Sequence, residues 1–280
     1  MKRILILFSI PLVLLSCSGE KFQWKRTSMD SSRTGVAACT ADNVAQKLGT
    51  INDSVYTAPN GRTFEKGSVT YAAAKLLLDV QPGMASLKTV IAHSTREMLR
   101  TKPECELSDW FIDELMRAAE KKSGKKVHFG ITNFGGIRVD MPAGDVLKDD
   151  IVSMFPFKNN LCYLELEGRD IRVLLEQLAA TGWQAVGGAR CVVKDGKLVS
   201  AEIDGAPLDD NRLYGVATIS FLLDGGDDIR VARNAKRLDI FPEYIIDIML
   251  PYVNSLTAEG KPIEYQTDGR IQIIKSENNE

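Results

Sequence analysis

The sequence has 280 residues, with 35 basic and 37 acidic side chains and a formal net charge of -2. A near-neutral chain lacks the surplus Lys and Arg that phosphate neutralisation requires, which excludes a nucleic-acid binder working through a basic face; its 44% apolar content excludes disorder as a description of the whole. With 2 histidines, a His-rich metal centre is all but excluded.

In chain order, Lys2 and Arg3 precede a short apolar run, Ile4 to Leu15, and then Ser16-Cys17. The run is shorter than the roughly 20 residues a bilayer span needs, and it fits an export signal. Leu14-Leu15-Ser16-Cys17 resembles a bacterial lipobox, so residues 1–16 are read as a lipoprotein signal peptide and Cys17 as the lipidation site. A plain secretory signal with an incidental Cys is the competing reading. The expectation is an exported lipoprotein, periplasmic or anchored to the outer membrane. Residues 17–35 read as a polar tether, and residues 36–280 as one domain. Cys39, Cys105, Cys162 and Cys191 have wide spacings and no CxxC, which argues against zinc; disulfides and free buried thiols both remain open.

Asn60-Gly61 marks a turn. Val69 to Val80 has the pattern of a helix with an Ala/Leu face, stopped by Gln81-Pro82-Gly83. A second helix is predicted after Ser108 as N-cap, with Phe111, Leu115 and Ala118 on one face. Val127–Thr132 reads as a strand, and Leu161–Glu167 alternates apolar and polar residues in strand fashion. A helix over Asp170–Ala180 follows. Then come a hairpin around Asp195-Gly196 and a strand from Leu213 to Leu222. A helix over Glu243–Leu256 and a strand over Arg270–Ile274 complete the series. Interleaved helices, strands and hairpins give an α+β fold, a mixed sheet flanked by helices.

Three loops are able to carry chemistry. Asn133-Phe134-Gly135-Gly136-Ile137-Arg138 places two glycines after a strand, where backbone can approach a ligand, and ends in a planar cation suited to phosphate or carboxylate. Met154 to Asn160 sets two aromatics around Pro156; one ring is expected in the core. Phe221 to Asp228 sets an aromatic and carboxylates around Gly225-Gly226. A ring there can stack on a base while an Asp accepts from ribose hydroxyls. Asp224, Asp227 and Asp228 could also suggest a calcium loop, but twelve-residue EF-hand spacing is absent.

In order and spacing, NFGGIRVDMPAGDV, MFPFKNNLCYLELEG and ATISFLLDGGDD resemble the C-terminal, substrate-binding domain of the 5'-nucleotidase family, from about Pro103 to the end. The resemblance implies that Asn133, Gly135 and Gly136 line a nucleotide site and that Arg138 holds the phosphate end. It implies that Phe157 and Phe221 sandwich the base, and that Asp227, beside Gly225 and Gly226, holds the ribose hydroxyls. Glu104 to Asp109 looks like a variant of the family's E-x-x-x-G-N segment, with Ser108-Asp109 in place of Gly-Asn. The family's further phosphate-binding Arg has no clean match, Arg100 and Lys102 both lying near.

Family members carry two divalent metals in a separate metallophosphatase domain, through D-x-H, G-N-H-E and G-H-x-H motifs that this sequence lacks. His128 reads as a sheet residue, and His93 has no acidic partner at a useful spacing. The stretch between tether and resemblance, about 70 residues, is too short for such a domain. The resemblance therefore implies the nucleotide-binding half of a split 5'-nucleotidase-type hydrolase in nucleotide catabolism. On that reading the chain has no catalytic residues or metals of its own, and a separate metallophosphatase supplies both. The alternatives are an autonomous nucleotide-binding or scavenging lipoprotein and a fold reused for another anion or for protein contacts.

Overall fold

The computed structural model describes residues 32–275. The expected signal peptide at 1–16, Cys17 and most of the expected tether lie outside the described residues. Among the described residues, no helix is long and apolar enough to cross a membrane.

The chain begins with a short helix α1 (Val44–Leu48) and a three-stranded antiparallel sheet of β1 (Thr50–Ile51), β2 (Val55–Thr57) and β3 (Thr63–Glu65). Helix α2 (Val69–Met84) follows, with Ser68 Oγ accepting from the Tyr71 N–H at 3.1 Å as its N-cap. Contrary to the expected stop at Gln81, α2 runs through Pro82. The proline sits in the last turn, where it deletes one ladder bond, and the chain tightens into a 3-10 turn over Ala85–Lys88 directly after it. Tyr56, Ala58, Tyr71 and Ala74 form a small apolar cluster here, separate from the main core.

Strand β4 (Val90–Ser94) pairs antiparallel with the later β6 (Gly144–Leu147). Between them lie α3 (Glu106–Ser123) and β5 (Phe129–Thr132). The N-cap of α3 is Cys105, not Ser108 as the sequence suggested. Ser108 sits one turn in, and its Oγ reaches back to accept from the Cys105 N–H at 3.1 Å. Leu107, Trp110, Phe111, Ile112 and Leu115 of α3 are all buried, each contributing about 1.5–3 kcal/mol of transfer free energy. This helix packs on β5 and on three further strands, β7, β8 and β12, given below.

Helix α4 (Lys148–Met154) leads into β7 (Asn160–Glu167) and α5 (Gly168–Thr181). Then come β8 (Ala185–Gly187), β9 (Ala189–Lys194), β10 (Lys197–Ile203), β11 (Ala206–Pro207) and β12 (Leu213–Ile219). The last elements are β13 (Arg237–Tyr244), α6 (Ile245–Ala258) and β14 (Ile271–Ile274). The hairpin between β9 and β10 turns on Asp195 and Gly196, both at positive φ (49° and 74°), as the sequence indicated.

Two sheets dominate. The first is mixed, in the order β13-β7-β12-β5-β8, with β5 parallel to β12 and the other pairs antiparallel. The second is β11-β10-β9-β14, with β14 parallel to β9. The fold is therefore α+β, with mixed sheets flanked by helices. The alternation expected in β7 fails over its first half. Leu161 to Leu164 are buried in succession, which requires cover on both faces of the strand. Helices α3 and α5 pack on β7, and α5 also reaches β10, so it joins the two sheets.

Cys39, Cys105, Cys162 and Cys191 are all free, the last three buried; burial pushes the Cys162 and Cys191 thiols up to about 12. His128 lies one residue before β5, which starts at Phe129 and not at Val127 as the sequence suggested; its Nδ1 accepts from the Gly215 N–H at 2.9 Å, and burial lowers its pKa. His93, in contrast, does have an acidic neighbour. The β4–β6 register sets it opposite Asp145, with Nδ1 3.5 Å from the carboxylate. No sequence spacing could show this, because the two meet only across the strand pair.

Candidate functional site

The direction of the strands decides where the three loops meet. β5 and β12 run parallel, so the loops after Thr132 and after Ile219 leave the same end of the sheet. β7 runs antiparallel to β12, pairing Leu161 with Ile219, so the loop that precedes β7 arrives at that end too. The Asn160 N–H donates to Ser220 Oγ at 3.0 Å and ties the second loop to the third. β8 starts there as well, with Ala185 opposite Thr132.

In the first loop, Phe134 to Gly136 form one 3-10 turn. Its entrance is fixed by the Phe134 N–H donating to Gln184 Oε1 at 2.6 Å, and its exit by the Arg138 N–H donating to the Met154 carbonyl at 3.0 Å. Asn133 is buried, and its Oδ1 has no hydrogen-bond partner; the same holds for the buried Thr132 Oγ1 next to it. Two orphaned acceptor-capable oxygens at the mouth of a loop are costly unless a ligand or water completes them. A Cβ on Gly136 would stand 2.8 Å from that Asn133 Oδ1, whereas one on Gly135 would meet nothing closer than 3.7 Å. Glycine at 136 thus keeps the Asn133 amide in place, and Gly135 leaves backbone open to approach.

The Arg138 side chain is exposed and forms no ion pair among the described residues. One N–H donates to the Gly135 carbonyl at 3.1 Å, and the guanidinium carbon lies 5.7 Å from the centre of the Phe157 ring. This cation–π contact brings the first two loops together. Arg100, one of the two further cations considered for phosphate, is committed elsewhere. It donates to Asp140 at 2.9 Å and to the Ile137 carbonyl at 3.0 Å. Burial alone would raise the Asp140 carboxyl, but its bonds from Arg100 outweigh that and hold it below the usual range. Lys102 has no carboxylate partner among the described residues, and its ammonium lies 5.5 Å from the Phe134 ring centre.

The two rings around Pro156 divide as expected. Phe155 is in the core, 4.5 Å from Phe111 between ring centres, while Phe157 is 46% exposed. Phe221 is 42% exposed. Both rings are therefore open to solvent in part, with the Arg138 guanidinium over Phe157, and Phe221 directly follows Ser220 of the Asn160–Ser220 junction. A small cavity of about 10 Å³, room for about one water, is lined by Phe111, Thr132, Gly136, Phe155, Phe157, Asn159, Ile219 and Ile245; Phe221 is not among them.

The third loop is held by close approach and left-handed backbone. Gly225 adopts φ 111°, and Asp227 and Asp228 adopt φ 50° and 60°. A Cβ on Gly226 would lie 2.3 Å from the Phe221 carbonyl oxygen and 2.6 Å from its ring. Gly226 therefore seats the ring, and the turn carries the Asp227 carboxylate outward, exposed and without a partner among the described residues. Sequence reading missed Thr132, Asn159 and Gln184; Gln184 lies 50 residues from Phe134, and only the β5–β8 pairing unites them.

Among the described residues, the acidic group close enough to hold a metal is Glu104, Asp109 and Asp268, not the 224–228 turn. Its charge is already met by Arg270, which donates to both oxygens of Asp113 (2.8 and 2.5 Å) and to Asp268 at 3.0 Å, and lies 3.6 Å from Asp109. Glu104 accepts backbone N–H groups of Asp268, Gly269 and Ile271. The cluster clasps the C-terminal strand to α3. Burial pushes the Asp109 carboxyl up to about 8 despite Arg270.

The model of the 5'-nucleotidase C-terminal domain family matches residues 89–234. Protein UshA of Yersinia enterocolitica is 28% identical over 170 residues, covering 59% of this chain and 30% of that protein. The trifunctional nucleotide phosphoesterase YfkN of Bacillus subtilis is 27% identical over 215 residues, 71% of this chain and 14% of that protein. The chain thus spans less than a third of the length of these relatives. Among solved structures, the 5'-nucleotidase precursor of Thermus thermophilus is similar with a TM-score of 0.64 at 24% identity, over 73% of this chain and 43% of that one. The NAD nucleotidase of Haemophilus influenzae gives 0.55 at 19% identity, over 79% and 48%. At these identities the structural likeness speaks for the fold.

Proposed function

The chain belongs to the family of 5'-nucleotidase C-terminal domains, and from that premise we propose that it binds a nucleoside or nucleotide where its three loops converge. The observation that carries this reading is the pair of half-exposed rings, Phe157 and Phe221, in two loops that leave the same end of the main sheet and are tied there by the Asn160–Ser220 hydrogen bond. In it the base stacks on the rings, the Asp227 carboxylate accepts from the ribose hydroxyls, and the Arg138 guanidinium meets the phosphate, neither charge having an opposite charge beside it among the described residues. Asn133 supplies the amide whose oxygen is orphaned here. Each group is of the type its role needs: a π-face for a base, an acceptor-only carboxylate for hydroxyls, a planar fork of donors for phosphate.

On this proposal the chain is the substrate-holding half of a phosphoester hydrolase. A separate metallophosphatase brings two divalent metals, which would activate water and steady the phosphoryl group. The reading also places the protein outside the cytoplasm, held to a membrane by a lipid on Cys17. The test is reconstitution. Purified chain with manganese or zinc should leave AMP intact, and adding a metallophosphatase that carries the D-x-H and G-N-H-E motifs should start hydrolysis, which Arg138→Ala slows. Tight nucleoside binding with no gain from any such partner would instead favour an autonomous binding protein.

A further inference from the structure

Helix α2 has two apolar faces, separated by Thr70 and Gln81 on one flank and by the exposed Lys75–Asp79 ion pair on the other. Its inward face contributes Tyr71 and Ala74 to the small cluster, yet Val69 (87% exposed), Leu76 (68%), Leu77 (50%) and Val80 (42%) stand in solvent. At 100° per residue these four, with Ala72 and Ala73, cover a continuous arc of about 140°. A 16-residue helix with so wide an uncovered apolar arc is a surface awaiting a partner. Beside it lies an apolar hollow of about 130 Å³ lined by Thr34, Val36, Leu48, Ala73 and Leu77, among others.

We propose that this face of α2 lies on a lipid bilayer, with the helix axis parallel to the membrane plane. The argument for that occupant comes from where the outlying chain ends. The described residues start at Ser32, and Thr34 and Val36, next in line, already form the wall of the hollow. From Cys17 to Ser32 the chain spans at most about 50 Å even when fully extended, so a lipid at Cys17, the reading given above, would keep α2 within reach of the surface. The exposed Arg62 and Lys66 just before the helix, with exposed Glu65 between them, leave one net positive charge for anionic headgroups. An interfacial helix and a lipid together give the two signals that stable anchoring takes.

The test removes the lipid and asks the helix alone. Residues 17–280, the mature chain on the reading above and so without the apolar Ile4–Leu15 run, carry Cys17→Ser, are mixed with phosphatidylethanolamine–phosphatidylglycerol vesicles and are floated on a density gradient. The expected result is co-flotation, reduced about tenfold or more by Leu76→Gln with Val80→Gln, two exposed positions whose exchange leaves the thermal melt unchanged. A Cys17→Ser chain that stays at the bottom overturns the proposal, as does equal flotation of the double variant. Dimers that the double variant dissolves, without flotation, would assign the face to a second copy. Binding of a purified metallophosphatase through this face, again without flotation, would assign it to a protein; either outcome overturns the lipid reading. Leu76 and Val80 lie outside the nucleotide loops, so failure here is separable from failure of nucleotide binding.

Discussion

Replacing Gly226 by Ala tests how the third loop presents its ring. The added methyl would stand 2.3 Å from the Phe221 carbonyl oxygen and 2.6 Å from ring atoms Cδ1 and Cε1. Because one of those atoms is backbone, side-chain rotation alone does not relieve the clash; the turn must open and carry the ring with it. If the ring stacks on a base, about 1–3 kcal/mol of binding is lost, equivalent to roughly 5- to 150-fold in Kd. Isothermal titration with adenosine and with AMP reads this directly. Gly135→Ala is the control for general disturbance of a glycine loop. Its methyl meets nothing closer than 3.7 Å, so stability should stay within about 0.5 kcal/mol of the parent. A Gly226→Ala protein that is folded and binds adenosine as tightly as the parent would refute the seating of Phe221.

The Asp109 carboxyl keeps its proton in the folded chain up to about pH 8, whereas an unperturbed Asp releases it near 4. The native state then holds the extra proton, so stability falls as pH rises from about 4 to about 8, by at most about 1.4 kcal/mol per pH unit, and levels off above. Asp109→Asn should flatten that fall, measured as urea midpoints at pH 5, 6.5 and 8; parallel profiles for the two proteins would contradict it. Arg270→Met removes the cation that faces Asp109, Asp113 and Asp268 and should cost about 3–5 kcal/mol by chemical denaturation, a loss below 1 kcal/mol refuting the clasp.

Chemistry carried by a few adjacent residues was legible in the sequence; chemistry assembled by pairing was not. The Gly-Gly pairs, Arg138 and Asp227 stand in contiguous motifs, and the expectation that one ring around Pro156 is core agrees with buried Phe155 and exposed Phe157. Gln184, by contrast, reaches Phe134 only through the β5–β8 ladder, and Asp145 reaches His93 only through β4–β6. Strand β13 went unseen because RLDIFPEY holds a proline and exposes Leu238 and Ile240. Among the described residues it is an edge strand, paired with β7 alone, and edges tolerate what interior strands do not. The start of α3 was misplaced because a thiol caps weakly and is a poor signal beside a serine three residues on.

The most direct measurement is calorimetric titration of adenosine into the parent chain, Phe157→Ala and Phe221→Ala. Saturable binding that weakens about 5-fold or more in each single variant is the predicted result. No heat with the parent, or equal affinity in all three proteins, would contradict it.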